Sequence, residues 1–110
     1  MKNLEFYKHY KGVIKNAKHH APVVIDVLQP MALSIISLAD ENSIISARKS
    51  KYVDGFTNPI KFRINGVPFY TAYTHEKGKV LVRKKNSIGE ILYEFDNTNA
   101  NCVMDAMEKL

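Results

Sequence analysis

The sequence predicts one α+β domain over residues 1–110: a four- to five-stranded antiparallel sheet with one face covered by N-terminal, central and C-terminal helices. Three observations predict it. The first twenty residues repeat apolar side chains at helical spacing, residues 60–64 alternate apolar and basic side chains ahead of two turns that keep the strand register in phase, and the last residues return to helical spacing. A chain of 110 residues can bury one core but not two.

The N-terminal segment is predicted to form an amphipathic helix capped by Asn3. Its apolar face is formed by Phe6, Tyr10, Val13, Ile14 and Ala17. The opposite side carries four lysines, Lys8, Lys11, Lys15 and Lys18, which we call the lysine stripe. No acidic residue stands three or four positions downstream of any of them, so their charge is not compensated locally.

The central segment is ambiguous because it combines helical spacing with many β-branched residues. Since a proline disrupts the interior of a helix but not its first turn, we predict a helix from about Pro30 to Ala39. Residues 23–28 are then either a strand or a preceding helical turn. Residues 43–53 are the candidate for a fifth strand of the sheet, because they end at an Asp54-Gly55 turn signal.

The second half of the chain predicts a strand register. Asn65-Gly66 is a strong two-residue hairpin signal. The resulting hairpin pairs Ile64 with Val67, Phe62 with Phe69 and Ile60 with Thr71. A second turn over residues 75–78 keeps the alternation in phase and pairs Tyr70 with Arg83.

Residues 90–95 predict a further strand whose inward side chains are Ile91, Tyr93 and Phe95. A closing helix of about ten residues then begins at Asn97 or Asn99. Its predicted apolar side consists of Ala100, Val103, Met104 and Met107. Cys102 lies in this stretch and is predicted to be buried and inert, and a single cysteine forms no internal disulfide.

The formal net charge of +5 is distributed unevenly along the chain. Residues 1–20 carry +4 and residues 48–85 carry +8, whereas residues 21–47 carry −3 and residues 86–110 carry −4. Such an uneven charge distribution bears on the binding partners of a protein more than on its fold.

The sheet face turned away from the helices is the first candidate site. It places cations around Tyr70, namely Lys61, Arg63, Lys79, Arg83 and Lys85, with Lys77 and Lys84 near its edge. Cations can neutralise successive phosphates while an aromatic ring stacks on a base. Alternatively, Glu90 and Glu94 pair with Arg83 and Lys79, and the face is an ordinary solvated surface.

The lysine stripe is the second candidate site. Lysines opposite an apolar face often serve solubility alone, but the lack of nearby acids favours a binding role. The histidines of the same helix, His9, His19 and His20, match no standard metal-site spacing, and no cofactor motif is present. We therefore predict neither a metal nor a cofactor.

These features predict a small basic protein, not an enzyme, that binds nucleic acid through the lysine stripe and the sheet face. The first alternative is an inhibitor or accessory factor that docks on an acidic protein surface, of a kind that phages and mobile elements encode. The second is a small ribonuclease that uses His75 with Tyr73, Lys77 and Arg83.

The chain shows no secretory signal pattern. Its longest apolar stretch, residues 23–39, is interrupted by Asp26, Gln29 and Pro30 and is shorter than the roughly 20 residues that a spanning helix needs. With 45% hydrophobic and 25% charged residues, the composition is that of a globular domain. We predict a protein without membrane contact in the cytoplasm, which is the host cytoplasm if a virus encodes it.

Overall fold

The computed structural model describes residues 3–40, 46–47, 59–74 and 76–110, and these form the predicted α+β architecture. The described helices are α1 (Asn3–His20), α2 (Ile25–Leu38) and α3 (Val103–Met107), with 3-10 turns at Pro22–Val24 and Ala100–Cys102. The described strands are β1 (Ser46–Ala47), β2 (Ile60–Ile64), β3 (Val67–Thr74), β4 (Lys79–Lys84) and β5 (Ile91–Phe95). They form one antiparallel sheet in chain order.

The predicted register of β2, β3 and β4 is confirmed. Every predicted pair is present, including Phe62 with Phe69 and Tyr70 with Arg83. The turn residue Asn65 has φ of 50° and Gly66 has φ of 79°, as a type I′ turn requires. A slip of one residue would turn the apolar side chains toward solvent, so the alternation fixes the pairing.

The core lies between the helices and one face of the sheet, which we call the core face; the other is the open face. The core residues of α1 are Phe6, Tyr10, Val13 and Ala17, which confirms the predicted apolar side of this helix, with Ile14 partly buried beside them. The sheet contributes Ile60, Phe62, Phe69, Thr71, Tyr73, Val80, Val82 and Phe95. Burial raises the pKa of the Tyr10 hydroxyl, so this side chain stays neutral in the core.

Two predictions, the N-cap of α1 and the strand over residues 43–53, fall partly outside the described residues. Asn3 is the first described residue of α1, and its capping contact lies outside the part that the structure describes. The strand predicted over residues 43–53 is present as β1, which pairs Ser46 with Lys61, and the rest of that segment is not described. Within the described ranges, no helix has both the length and the apolar character needed to cross a bilayer.

The central helix begins earlier than predicted. Pro30 lies inside α2 rather than in its first turn, and residues 23–28 adopt the helical alternative. An interior proline costs about 3 kcal/mol because it removes the hydrogen bond to the carbonyl four residues earlier. The buried residues on both sides of it are Val24, Val27, Leu28, Met31, Ala32 and Ile35. Since burial of one large aliphatic side chain contributes about 1.5–3 kcal/mol, packing outweighs the cost of the proline.

A bulge changes which β5 side chains reach the core. The register shifts between Val82 and Arg83, so that Arg83 lies opposite Ile91. Ile91 is consequently 36% exposed, which makes its predicted inward position wrong, while Tyr93 and Phe95 face the core as predicted. Leu92 packs against the core in its place, because an extra residue in one strand interrupts the two-residue alternation.

The closing helix is shorter than predicted. A 3-10 turn over Ala100–Cys102 precedes the five residues of α3. Val103 and Met107 are buried as predicted, but Met104 is 49% exposed and Cys102 is also exposed, contrary to prediction. At about 100° of rotation per residue, Val103 and Met107 lie on one side of α3 and Met104 lies at its edge, while Cys102 belongs to the tighter 3-10 turn that precedes the helix.

Candidate functional site

Three of the predicted site residues form one row across the open face. Lys61 on β2 pairs with Tyr70 on β3, which pairs with Arg83 on β4. We call these three residues the Tyr70 row. Residues directly opposite each other on antiparallel strands have Cβ atoms about 4.5–5.5 Å apart, so Tyr70 has a basic side chain on each side. Lys61 is exposed, and the other two side chains are partly exposed.

The electrostatics of Tyr70 reflect this position. Partial burial raises the pKa of the Tyr70 hydroxyl, and the positive charge of Arg83 lowers this pKa by a smaller amount. The net shift is upward, so the phenol is neutral near pH 7. A neutral ring that is partly accessible and flanked by cations can stack on a base while the cations contact phosphates.

Arg83 is held in place by the chain that follows β4. Its Nη1 donates a hydrogen bond to the carbonyl oxygen of Gly89 at 2.8 Å. A Cβ at Gly89 would lie 1.6 Å from the carbonyl oxygen of Lys84, so only glycine fits at this close approach. A guanidinium has five N–H donors, and Arg83 is therefore positioned by one contact and able to donate others to a ligand.

The predicted ion pairs that would make the open face an ordinary surface are not present among the described residues. The Glu94 carboxylate lies 3.6 Å from Lys77 Nζ, not from Lys79, and Arg83 bonds Gly89 instead of a carboxylate. The Lys77–Glu94 pair is exposed and is worth about 0–1 kcal/mol. No described ion pair neutralises the cations of the Tyr70 row.

Two further predicted cations, Arg63 and Lys79, lie on the open face at opposite ends. Arg63 is exposed, and its Nη1 donates to the carbonyl oxygen of Gly66 at 3.2 Å. The charge of Lys79 reaches Asp96. Hydrogen bonds from the Thr98 hydroxyl and backbone lower the pKa of the Asp96 carboxyl, and Lys79 lowers it further. Lys79 is thus partly balanced, whereas Arg63 extends the positive surface.

The structure does not bring Lys84 and Lys85 to the Tyr70 row. Lys84 lies opposite Phe69, so its side chain belongs to the core face. Lys85 follows β4 with φ of 72°, and its N–H donates to the carbonyl oxygen of Pro68. These two lysines belong to the end of β4 and not to the open face.

The lysine stripe is separated from the Tyr70 row by the core. Lys8, Lys11, Lys15 and Lys18 are all exposed, whereas the other side of α1 is buried in the core, where this helix packs on α2 and the 3-10 turn at Pro22–Val24. Within α1, Lys11 Nζ lies 5.2 Å from the centroid of the Tyr7 ring, a cation–π contact. Glu5, in the first turn, is the helix's acidic residue. The two basic surfaces therefore lie on different elements, with buried core residues of α1 and of the sheet between them.

The ribonuclease constellation is not assembled by the described residues. His75 lies outside them. Of its predicted partners, Tyr73 is buried on the core face and Arg83 is on the open face, so the two side chains point to opposite sides of the sheet. Among the described residues, no group of three histidine, cysteine, aspartate or glutamate side chains could hold a metal ion.

The apolar centre of the open face was not anticipated from the sequence. Leu81 is only 6% exposed although it lies on the open face, opposite Ala72 and next to the Tyr70 row. The sequence feature that indicates the burial of Leu81 is the unbroken apolar run Val80-Leu81-Val82, because a strand that is apolar on successive residues is covered on both faces. The open face is therefore covered at Leu81, with the Tyr70 row on one side of it and the exposed Glu94 opposite it on β5.

Comparison with known protein families and with curated proteins finds no match to this chain. Its function is therefore inferred from the geometry and charge of its own surfaces.

Proposed function

We propose that the protein binds single-stranded nucleic acid on the open face of its sheet and catalyses no reaction. The observation that supports this function is the Tyr70 row, in which an accessible aromatic ring lies between a lysine and an arginine on adjacent strands. Arg63 continues the positive charge toward the β2–β3 turn.

Each component of this surface has a separate role in the proposal. The Tyr70 ring stacks on one base, which is worth about 1–3 kcal/mol for a protein of this kind. Lys61 and Arg83 contact the phosphates on either side, and Ala72, which is partly exposed, receives a neighbouring base or sugar. Base stacking on a sheet requires unpaired bases, so the proposed ligand is single-stranded.

The decisive experiment is a salt titration of oligonucleotide affinity, measured by fluorescence anisotropy. For wild-type protein, log K falls with log salt at a slope of about −0.7 for each phosphate contact. Tyr70→Ala weakens binding by about 1–3 kcal/mol without changing the slope, because stacking is lost and phosphate contacts are kept. Lys61→Gln makes the slope shallower by about 0.7, as expected for one lost contact.

Tyr7→Ala is the matched control, because Tyr7 is also a tyrosine beside a lysine but lies on α1. It should leave both affinity and slope unchanged. A flat salt response of the wild-type protein, or equal affinities of Tyr70→Ala and Tyr7→Ala, would contradict the proposed function.

The lysine stripe favours a second candidate, docking on an acidic protein surface. Its four exposed lysines form no ion pair among the described contacts, and like charges at helical spacing repel by a few tenths of a kcal/mol each unless an acidic partner relieves them. Because the stripe lies on α1 and the Tyr70 row lies on β2, β3 and β4, the two candidate functions depend on different residues.

A further inference from the structure

A cleft of about 440 Å³ opens between the core face of the sheet and the residues that follow α3. Phe69, Leu92 and Tyr93 form its sheet side, and Leu110 forms the opposing side. Its size lies within the roughly 300–1,000 Å³ of small-molecule sites. It is separate from the Tyr70 row, which lies on the other face of the sheet.

The lining of this cleft is mainly apolar and accessible. Val67 is 42% exposed, while Leu92, Tyr93 and Leu110 are only partly buried against the core. An apolar ligand placed here would remove this surface from water, which favours binding in proportion to the apolar area buried.

The two charged side chains that line the cleft are both lysines. Lys84 and Lys109 both line it, and both are exposed. Neither forms an ion pair among the described contacts. The carboxylate of Asp40 near this end of the sheet accepts hydrogen bonds from the backbone N–H groups of Asn65 and Gly66, so it is directed to the turn.

We infer that this cleft binds a small amphipathic carboxylate. The apolar body of the ligand packs against Phe69, Leu92 and Leu110, and its carboxylate accepts hydrogen bonds from the ammonium groups of Lys84 and Lys109. A neutral ligand of the same shape gains the apolar contact alone, whereas an anion adds charge-assisted hydrogen bonds. The inference does not depend on the proposed nucleic-acid function.

The test compares decanoate with 1-decanol, which share a chain length and differ in charge, by NMR titration of the full chain. Decanoate should bind saturably, with shift changes at the methyl groups of Leu92 and Leu110. Decanol should bind at least about tenfold more weakly, which is the factor expected for one charge-assisted hydrogen bond. The double variant Lys84→Gln/Lys109→Gln should lose about tenfold in decanoate affinity and keep its decanol affinity.

Lys61→Gln/Lys79→Gln is the matched control, because it removes two lysines from the open face and leaves the cleft intact. It should bind decanoate as wild type does. Absence of saturable decanoate binding, equal affinity for decanoate and decanol, or an unchanged decanoate affinity of Lys84→Gln/Lys109→Gln would overturn the inference. Since Lys84 and Lys109 are exposed, their replacement should leave the melting temperature near that of wild type, which a thermal melt checks.

Discussion

Ser34 is a buried residue of α2 whose hydroxyl has no hydrogen-bond partner among the described residues. A buried hydroxyl without a partner costs about 1–3 kcal/mol of desolvation. Ser34→Ala removes this cost and improves helix propensity, so it should stabilise the protein by about 1–2 kcal/mol in urea unfolding.

Ser37→Ala is the control for this prediction, because Ser37 lies in the same helix but is exposed. Ser37→Ala improves helix propensity alone, which should stabilise the protein by about 0.5 kcal/mol. If Ser34→Ala is no more stable than Ser37→Ala, the prediction is wrong and the Ser34 hydroxyl has a hydrogen-bond partner in solution.

Individual site residues were predictable to the extent that they follow the two-residue alternation. Lys61, Tyr70 and Arg83 could be placed on one face because each lies in a strand with a clear pattern. The hydrogen bond from Arg83 to Gly89 was not predictable, since it depends on how the chain turns after β4. The burial of Leu81 was visible only as an unbroken apolar run.

Two glycines in different elements give opposite expectations for the same substitution. Gly12 is in the interior of α1 and has open space where the Cβ of an alanine would lie, so Gly12→Ala should stabilise the protein by about 1 kcal/mol. Gly66 also has space, but its φ of 79° is unfavourable for alanine, and Gly66→Ala should destabilise by about 1–2 kcal/mol.

Paired urea unfolding curves of the two variants measure this contrast. Because neither substitution meets a neighbouring atom within 4 Å, the difference in sign comes from the backbone alone. Equal shifts in the same direction would show that Gly66 does not hold its left-handed conformation in solution.

Turns, helices and strands were predictable from the sequence where a single local residue pattern determines the structure. Asn65-Gly66 fixed the β2–β3 turn, and the regular apolar spacing of α1 fixed its buried side. The start of α2 was not predictable from Pro30, because the favourable burial around it is a tertiary effect. The bulge between β4 and β5, at Val82 and Arg83, was also not predictable, because nothing in the local alternation marks it before the register is known.

At the scale of the whole molecule, the described part of the uneven charge forms two surfaces on different elements of one core. The lysine stripe lies on the outer side of α1, and the Tyr70 row lies on the open face of the sheet. Charge counts along the sequence predicted both basic segments but not their separation, because that depends on which face of the sheet the helices cover. Exposed charges more than about 10 Å apart are largely screened at 0.1 M salt, so each surface should act independently.

The central claim is that oligonucleotides bind the open face and not the lysine stripe. It is tested by comparing two charge-reversal variants of equal net charge, Lys61→Glu/Lys79→Glu on the open face and Lys11→Glu/Lys15→Glu on the stripe. Each double variant lowers the formal net charge from +5 by four units, to +1.

The measurement is the affinity of each variant for a single-stranded oligonucleotide at about 0.1 M salt, where the Debye length is about 10 Å. We expect a loss of more than about tenfold for the open-face variant and less than about threefold for the stripe variant. Equal losses, or a larger loss for the stripe variant, would contradict the claim.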